Sequence, residues 1–454
     1  MDNNAEDDEG EQVPLVGGKA AEPSSGGHDA PPSDTLTQEA GVVWALAWPQ
    51  SLSFLLAMMS QQANIAMVGH LGATELGAAA LAAMFCNVTG FSIAYGGLTA
   101  LDTLGAQAYG ADQHVQVGVL AQRSLAIVTL LCIPVIALWC FAAGPLLALI
   151  GIEEAVAALT ITYCRIFAFA VWPTLAAAVL QRYLSIQSIV KPYTMVITCL
   201  LPINIGSNYI LVFGFPPTDR STAGLGFIGS PISLVLCSWL LLGVLVGMLK
   251  VTQLHARCWG GWDATAALRD WGPLLRLGAA GTAGLMGEWW VWEICSALAA
   301  TLGTVPLAAH ACLQQLAMLA FVLLDGMAEA ATIRVGNMLG AAQPAVARRA
   351  AVAAGIITGV VCVPLVVGVS SIGGNIVFIY TDDPAVAEMA GSMVIYYCCF
   401  MIVDAFNFCG GERTYHIDIT NKHTKQNYQD ERPSPNLSAQ LCGITDVLAL
   451  LLLL

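Results

Sequence analysis

Ten stretches between residues 42 and 410 are each predominantly apolar for about the 20 residues that an α-helix needs to cross a bilayer's hydrocarbon core. They fall near 42–66, 76–101, 118–141, 157–180, 193–213, 226–249, 273–300, 306–330, 350–370 and 389–410. A water-soluble surface could not cover so many runs, because the charge it needs is missing. Soluble domains carry about 25% charged residues; this chain of 454 residues carries 11%, with 57% hydrophobic residues and a mean hydropathy of +0.70. An all-α integral membrane protein of about ten spans is the expected class. No basic segment leads into a short apolar stretch and a small-residue cleavage site, so the first span is expected to serve as the insertion signal.

The net charge of −14 is concentrated at one end. Residues 1–40 hold ten acids against the single base Lys19, which leaves −5 for the rest. This acidic, Gly-, Pro- and Ser-rich head has little to bury and is expected to be a disordered cytosolic tail. A basic nucleic-acid surface is absent, so no nucleic-acid partner is expected. With the N-terminus inside, one side carries Arg123, Arg182, Lys191, Lys250, Arg257, Arg269, Arg276, Arg334, Arg348 and Arg349, and the other only Arg220. That bias predicts a cytosolic N-terminus, in a plasma or a vacuolar membrane. The fourteen cysteines form no CxxC pair or metal-ligand spacing, and most lie inside apolar runs as small packing residues.

The segment 251–272 is the longest connection within the helical region and divides a six-helix lobe (41–250) from a second lobe (273–411). The two lobes echo each other. Leu71-Gly72, Leu76 and Ala78 recur as Leu302-Gly303, Leu307 and Ala309, and Gly96, Ala100, Gln107, Gly110 and Ala111 recur as Gly326, Ala330, Asn337, Gly340 and Ala341. Six spans separate the copies, so they share an orientation. Parallel repeats of this kind commonly place a cavity between two rocking halves.

Five segments in order then point to a family: Met67-Val-Gly-His-Leu-Gly72, Ala100-Leu-Asp-Thr-Leu-Gly-Ala-Gln-Ala-Tyr-Gly110, Gln181-Arg-Tyr-Leu-Ser-Ile-Gln-Ser-Ile-Val-Lys-Pro192, Gly287-Glu-Trp-Trp-Val-Trp-Glu293 and Ala330-Ala-Thr-Ile-Arg-Val-Gly-Asn-Met-Leu-Gly340. Over residues 41 to about 411 the chain resembles eukaryotic multidrug and toxic compound extrusion transporters. The resemblance implies two pseudo-symmetric six-helix bundles. It also implies antiport of organic solutes, usually organic cations, against a proton or sodium gradient. No cofactor is expected beyond that gradient, and no partner beyond a small organic solute and membrane lipid, with no obligatory protein partner.

Glu288 and Glu293 interrupt the seventh apolar run. Ionisable groups at such depth are costly and usually mark an ion or proton route. Five positions apart, they point about 140° from each other on an ideal helix. In the family, matching acids on this helix are linked to proton and cation binding. Trp289 and Trp292 beside them suit a flat organic cation through cation–π attraction, or serve as packing; Trp290 fits a membrane-interface belt as well. Glycines at 278, 281, 284 and 287 allow close packing or bending. Asp404, in the tenth run, matches a place where the family often has an acid. Asn64 stands where many bacterial relatives carry an Asp, which shifts the expected ion site to the second lobe. Asn87, Gln181 and Gln315 are polar candidates for substrate contact or for interhelical hydrogen bonds. Asp102, Arg334 and Asn337 are expected to pin helix ends. Arg165 needs a partner, and His70 and His310 suit loop structure and satisfied packing. Asn87-Val-Thr89 fits a glycosylation sequon, but its apolar setting argues against modification.

No nucleotide-binding loop, HExxH helix or nucleophile motif occurs, so an enzyme is not expected. The resemblance ends near Gly410-Gly411, and 412–454 is a divergent polar stretch closing on eight apolar residues, too few to span. That tail is expected to be a splice or gene-model artefact or a truncated isoform. The function expected is a proton-coupled exporter of organic cations or related metabolites. A sodium-coupled exporter, an amphiphile flippase and a transport-incompetent membrane protein remain alternatives.

Overall fold

A computed structural model describes residues 35–403 apart from 151, 215–223 and 380–382. Asp404, the acidic head up to residue 34 and the divergent tail lie outside those residues. Among the described residues the regular structure is all helical, as lipid demands of a spanning backbone that must satisfy its own hydrogen bonds. Its long helices are α1 (Leu36–Gly69), α2 (Thr74–Gly110), α3 (His114–Leu149), α4 (Glu154–Ile186), α5 (Lys191–Phe213), α6 (Gly226–Thr252), α7 (Gly272–Leu302), α8 (Thr304–Gly340), α9 (Pro344–Ile372) and α10 (Pro384–Val403).

Among the described residues, nine of these ten are long and apolar enough to cross a membrane. The exception is α7, whose 31 residues include Arg276, Glu288, Glu293 and three tryptophans. The spans also run further than their apolar runs suggest. Thr35 caps α1, its Oγ1 accepting from the Gln38 N–H at 3.3 Å, so Glu39 belongs to the helix and is fully buried rather than part of a tail. Arg182 likewise lies inside α4, not in a connection. Within α2 and α3 the helix widens to π-turns at Asn87–Phe91 and Leu138–Ala142, where Gly90 lets the Trp139 ring approach and Trp139 Nε1 donates to Thr89 Oγ1 at 2.9 Å.

The connection between lobes is docked on the first one. Gln122 of α3 donates to the Gly261 carbonyl at 2.7 Å and accepts from the Asp263 N–H at 3.0 Å. Arg123 donates to the Ala266 carbonyl at 2.9 Å and meets Asp270 at 3.3 Å. Tyr183 donates to the His255 carbonyl at 3.1 Å, and Cys258 is buried against Gly118.

The halves meet by helix pairs that respect the repeat: α1 on α8 and α2 on α7, with the ends of α2 and α8 touching. A Cβ added to Gly96 of α2 would sit 2.5 Å from Thr282 Cα of α7; one added to Gly326 of α8 would sit 2.5 Å from Ser51 Cα of α1. At the α2 and α8 ends, Gly110 lies against the Asn337 carbonyl and Gly340 against the Gln107 carbonyl. These are the repeated residues themselves, each meeting its counterpart's partner across the seam. Gly278 and Gly281 of α7 continue the contact, the first 2.9 Å from the Gly97 carbonyl for an added Cβ.

Replacing Gly96 or Gly326 by Ala is expected to destabilise the folded protein in detergent by about 1–3 kcal/mol, because backbone faces the new methyl. Gly243→Ala in α6, where nothing lies within 4 Å, is expected to be neutral or to stabilise by up to about 1 kcal/mol. Thermal unfolding monitored by fluorescence checks both.

Candidate functional site: acids and polar pairs inside the bundle

Four glycines lead α7 into its acidic turn, and they divide by role. Gly278 and Gly281 are pressed on α2, whereas Gly284 and Gly287 have open space around their Cα atoms. Glu288 and Glu293 follow, both half-buried. No ion pair to Glu293 exists among the described residues. Trp289 packs against the core of the first lobe, so it bridges the halves. Trp292 faces its own lobe: its ring stands edge-on to Phe400 of α10 at 5.0 Å and tilts towards Tyr397 at 6.4 Å. Trp290 is exposed. One turn beyond Trp292, Ser296 donates to Gln314 Oε1 at 3.2 Å and meets His310 Nε2 at 3.2 Å, while Tyr397 holds His310 Nδ1. His310 is therefore buried with both ring nitrogens engaged.

The remaining sequence candidates do not gather around the α7 acids. Asn64 is buried on α1, where its Oδ1 accepts from Asn208 Nδ2 of α5. Ser60 donates to Asn204 Oδ1 at 2.7 Å one turn away, and Ser207 and Ser233 are 2.8 Å apart beyond them. This neutral ladder lies within the first lobe. Gln315 pairs with Gln62 at 2.9 Å between α8 and α1. Asn87 sits exposed at the α2 π-turn, and Gln181 is buried with its Nε2 unsatisfied. Arg165 finds its partner in the Cys140 carbonyl at 3.1 Å.

Charged pairs lock the ends that carry the repeat. Arg334 of α8 forks onto Glu39 of α1, Nε to Oε1 at 2.6 Å and Nη2 to Oε2 at 3.1 Å, both residues buried. Asn337 donates to the Ile186 carbonyl at 3.3 Å. Arg182 of α4 donates from Nε to Asp102 Oδ2 of α2 at 3.0 Å, its guanidinium 5.8 Å from the Tyr95 ring centre. Sequence reasoning passed over two further acids, Asp325 and Glu329 of α8, although both interrupt a run already marked as a span. The criterion that singled out Glu288 and Glu293 would have found them.

Comparison with known proteins agrees with this architecture. The MatE family pattern matches residues 49–210 and 283–413. An uncharacterised transporter of Schizosaccharomyces pombe is 34% identical over 305 residues, covering 67% of this chain and 55% of its own. Human multidrug and toxin extrusion protein 1 is 30% identical over 401 residues, covering 88% and 69%; that of Xenopus tropicalis is 31% identical over 375, covering 82% and 64%. The chain thus spans between 55% and 69% of the length of these relatives. The crystal structure of the eukaryotic MATE transporter AtDTX14 superposes with a TM-score of 0.78 at 25% identity, covering 92% of this chain and 95% of that one.

Breaking the Glu39–Arg334 fork by Glu39→Gln is expected to cost about 3–5 kcal/mol, the usual penalty for stranding one partner of a buried pair. Chemical denaturation in detergent, compared with wild type, measures it.

Proposed function

The chain belongs to the MatE family of multidrug and toxin extrusion transporters, and from that premise we propose that it is a secondary active antiporter exporting organic cations from the cytosol in exchange for protons. The observation that carries the proposal is the pair Glu288 and Glu293 on α7, half-buried in a membrane bundle beside Trp289 and Trp292. A carboxyl group in this setting serves two competing cations. Ionised, it attracts a positively charged organic solute, and an aromatic face adds cation–π attraction and apolar contact. Protonated, it releases that solute. A site holding one or the other, never both, couples the two fluxes.

Trp289 packs on the first lobe while Trp292 packs on α10, so a relative movement of the halves would change the surroundings of the acids between them. Alternating exposure of one site by two rocking lobes needs only such a movement. Asp404 is proposed as a further coupling acid, and Asn64, Asn87 and Gln315, which do not gather around the α7 acids, as polar contacts elsewhere on the solute's route. Arginine and lysine distribution supports a cytosolic N-terminus, in a plasma or vacuolar membrane.

In everted vesicles, an imposed pH gradient is expected to drive uptake of an organic cation such as tetraethylammonium, and Glu293→Gln to reduce that uptake to background. Equal uptake under a sodium gradient alone, at uniform pH, would contradict proton coupling.

A further inference from the structure

Asp325 and Glu329 stand one turn apart on α8 and so share a face. Between them Gly326 brings the α8 backbone directly onto Ser51 of α1. Gln50, the residue before, is 2% exposed; its Oε1 accepts from Ser185 Oγ of α4 at 3.5 Å, and its amide end comes against Glu329 without a satisfied hydrogen bond. One turn before Ser185 is Arg182, held by Asp102. Glu329 is in electrostatic reach of Arg182, Asp102 and Asp325, and Asp325 of Arg182 and Asp102. The Arg182–Asp102 pair of the first lobe thus lies beside the seam on which the α8 acids of the second lobe stand.

Two features bear on what this centre holds. Glu329 Oε1 and Asp102 Oδ1 are buried without a hydrogen-bond partner, and Asp102 is only 5% exposed. A buried carboxylate oxygen that accepts no hydrogen bond is costly to keep ionised, and adding a proton removes that cost. Beside the α8 acids the helices touch backbone to backbone at Gly326. No three His, Cys, Asp or Glu side chains among the described residues converge to hold a metal ion.

We propose that Asp325, Glu329 and Asp102 form a proton-binding site on the seam between the lobes, separate from the α7 acids. The proton adds to one carboxylate oxygen, cancels one negative charge, and gives that group an O–H to donate to its neighbour. Arg182 neutralises a second carboxylate, and the halves can then close on the centre. The proposal builds on the proton-coupled exchange inferred above. The groups acting on the α8 acids are Asp102 from α2, Arg182 from α4, Tyr193 from α5 and the amide of Gln50 from α1, with the Tyr95 ring of α2 beside Arg182. Glu39 of α1 is engaged by Arg334.

Infrared difference spectroscopy of the purified full chain in lipid nanodiscs tests the site without requiring transport. Between about pH 5 and pH 9, a range spanning ordinary and strongly displaced carboxyl groups, the wild type is expected to lose protonated-carboxyl bands. Glu329→Gln is expected to remove one of them, and Asp325→Asn to remove or shift another, which keeps the test available if either variant fails to fold. Spectra of both variants that superimpose on the wild type would overturn the proposal, as would a band lost on adding sodium at fixed pH. If the bands titrate as expected while a pH gradient fails to drive export, the coupling scheme falls and the proton site stands.

Discussion

Backbone-to-backbone contact at glycine is what lets the two halves of this bundle meet. A Cβ at Gly96, Gly326, Gly110 or Gly340 would strike main chain on the opposing helix, so these positions set how closely α1 can lie on α8 and α2 on α7 and α8. In lipid the apolar surfaces of helices gain nothing from leaving water, and close van der Waals packing carries the association instead. The same glycines recur in both lobes at nearly one offset. The repeat is thus legible as an interface: each lobe brings the same small residues to the same seam.

Charge is spent sparingly and in pairs. Arg334 forks onto Glu39 and Arg182 holds Asp102, so one guanidinium group is buried and one mostly buried against partners on neighbouring helices. Each pair fixes a register: the first ties α1 to α8 across the seam, and the second ties α2 to α4 within the first lobe. Elsewhere polar side chains answer one another without charge, as in the Asn64–Asn208 ladder and the Ser296–His310–Tyr397 chain. Against that background the acids of α7 and α8 differ. They outnumber the bases near them, in a protein whose proposed work is to exchange one cation for another.

Apolar run length identified the helices, because a bilayer imposes a minimum that composition cannot evade. It could not locate their ends. Glu39 reads as part of an acidic tail until its partner Arg334, 295 residues away, is seen beside it. Arg182 reads as a cytosolic-side cation until Asp102 is found 3.0 Å away. Both misplacements share a cause: a charge near a helix end is ambiguous between interface and interior, and only a distant residue resolves it. Glu288 and Glu293 stand out in the sequence because acids break an apolar run there, and the structure places both half-buried on α7. Asp325 and Glu329 break another such run and carry the same signal, while Asn87, picked as a polar residue in an apolar run, is exposed at a π-turn.

The seam itself is open to direct measurement. Ala111 follows the end of α2 and Ala341 the end of α8, with a Cβ on the neighbouring Gly340 falling 3.0 Å from the Ala111 nitrogen. Cysteines introduced at 111 and 341, in a background stripped of accessible native cysteines, should form a disulfide readily under mild oxidation. Export should stop while the bond is present and return on reduction. Failure of the pair to cross-link, or transport that continues with the bond intact, would contradict a glycine seam that must open and close.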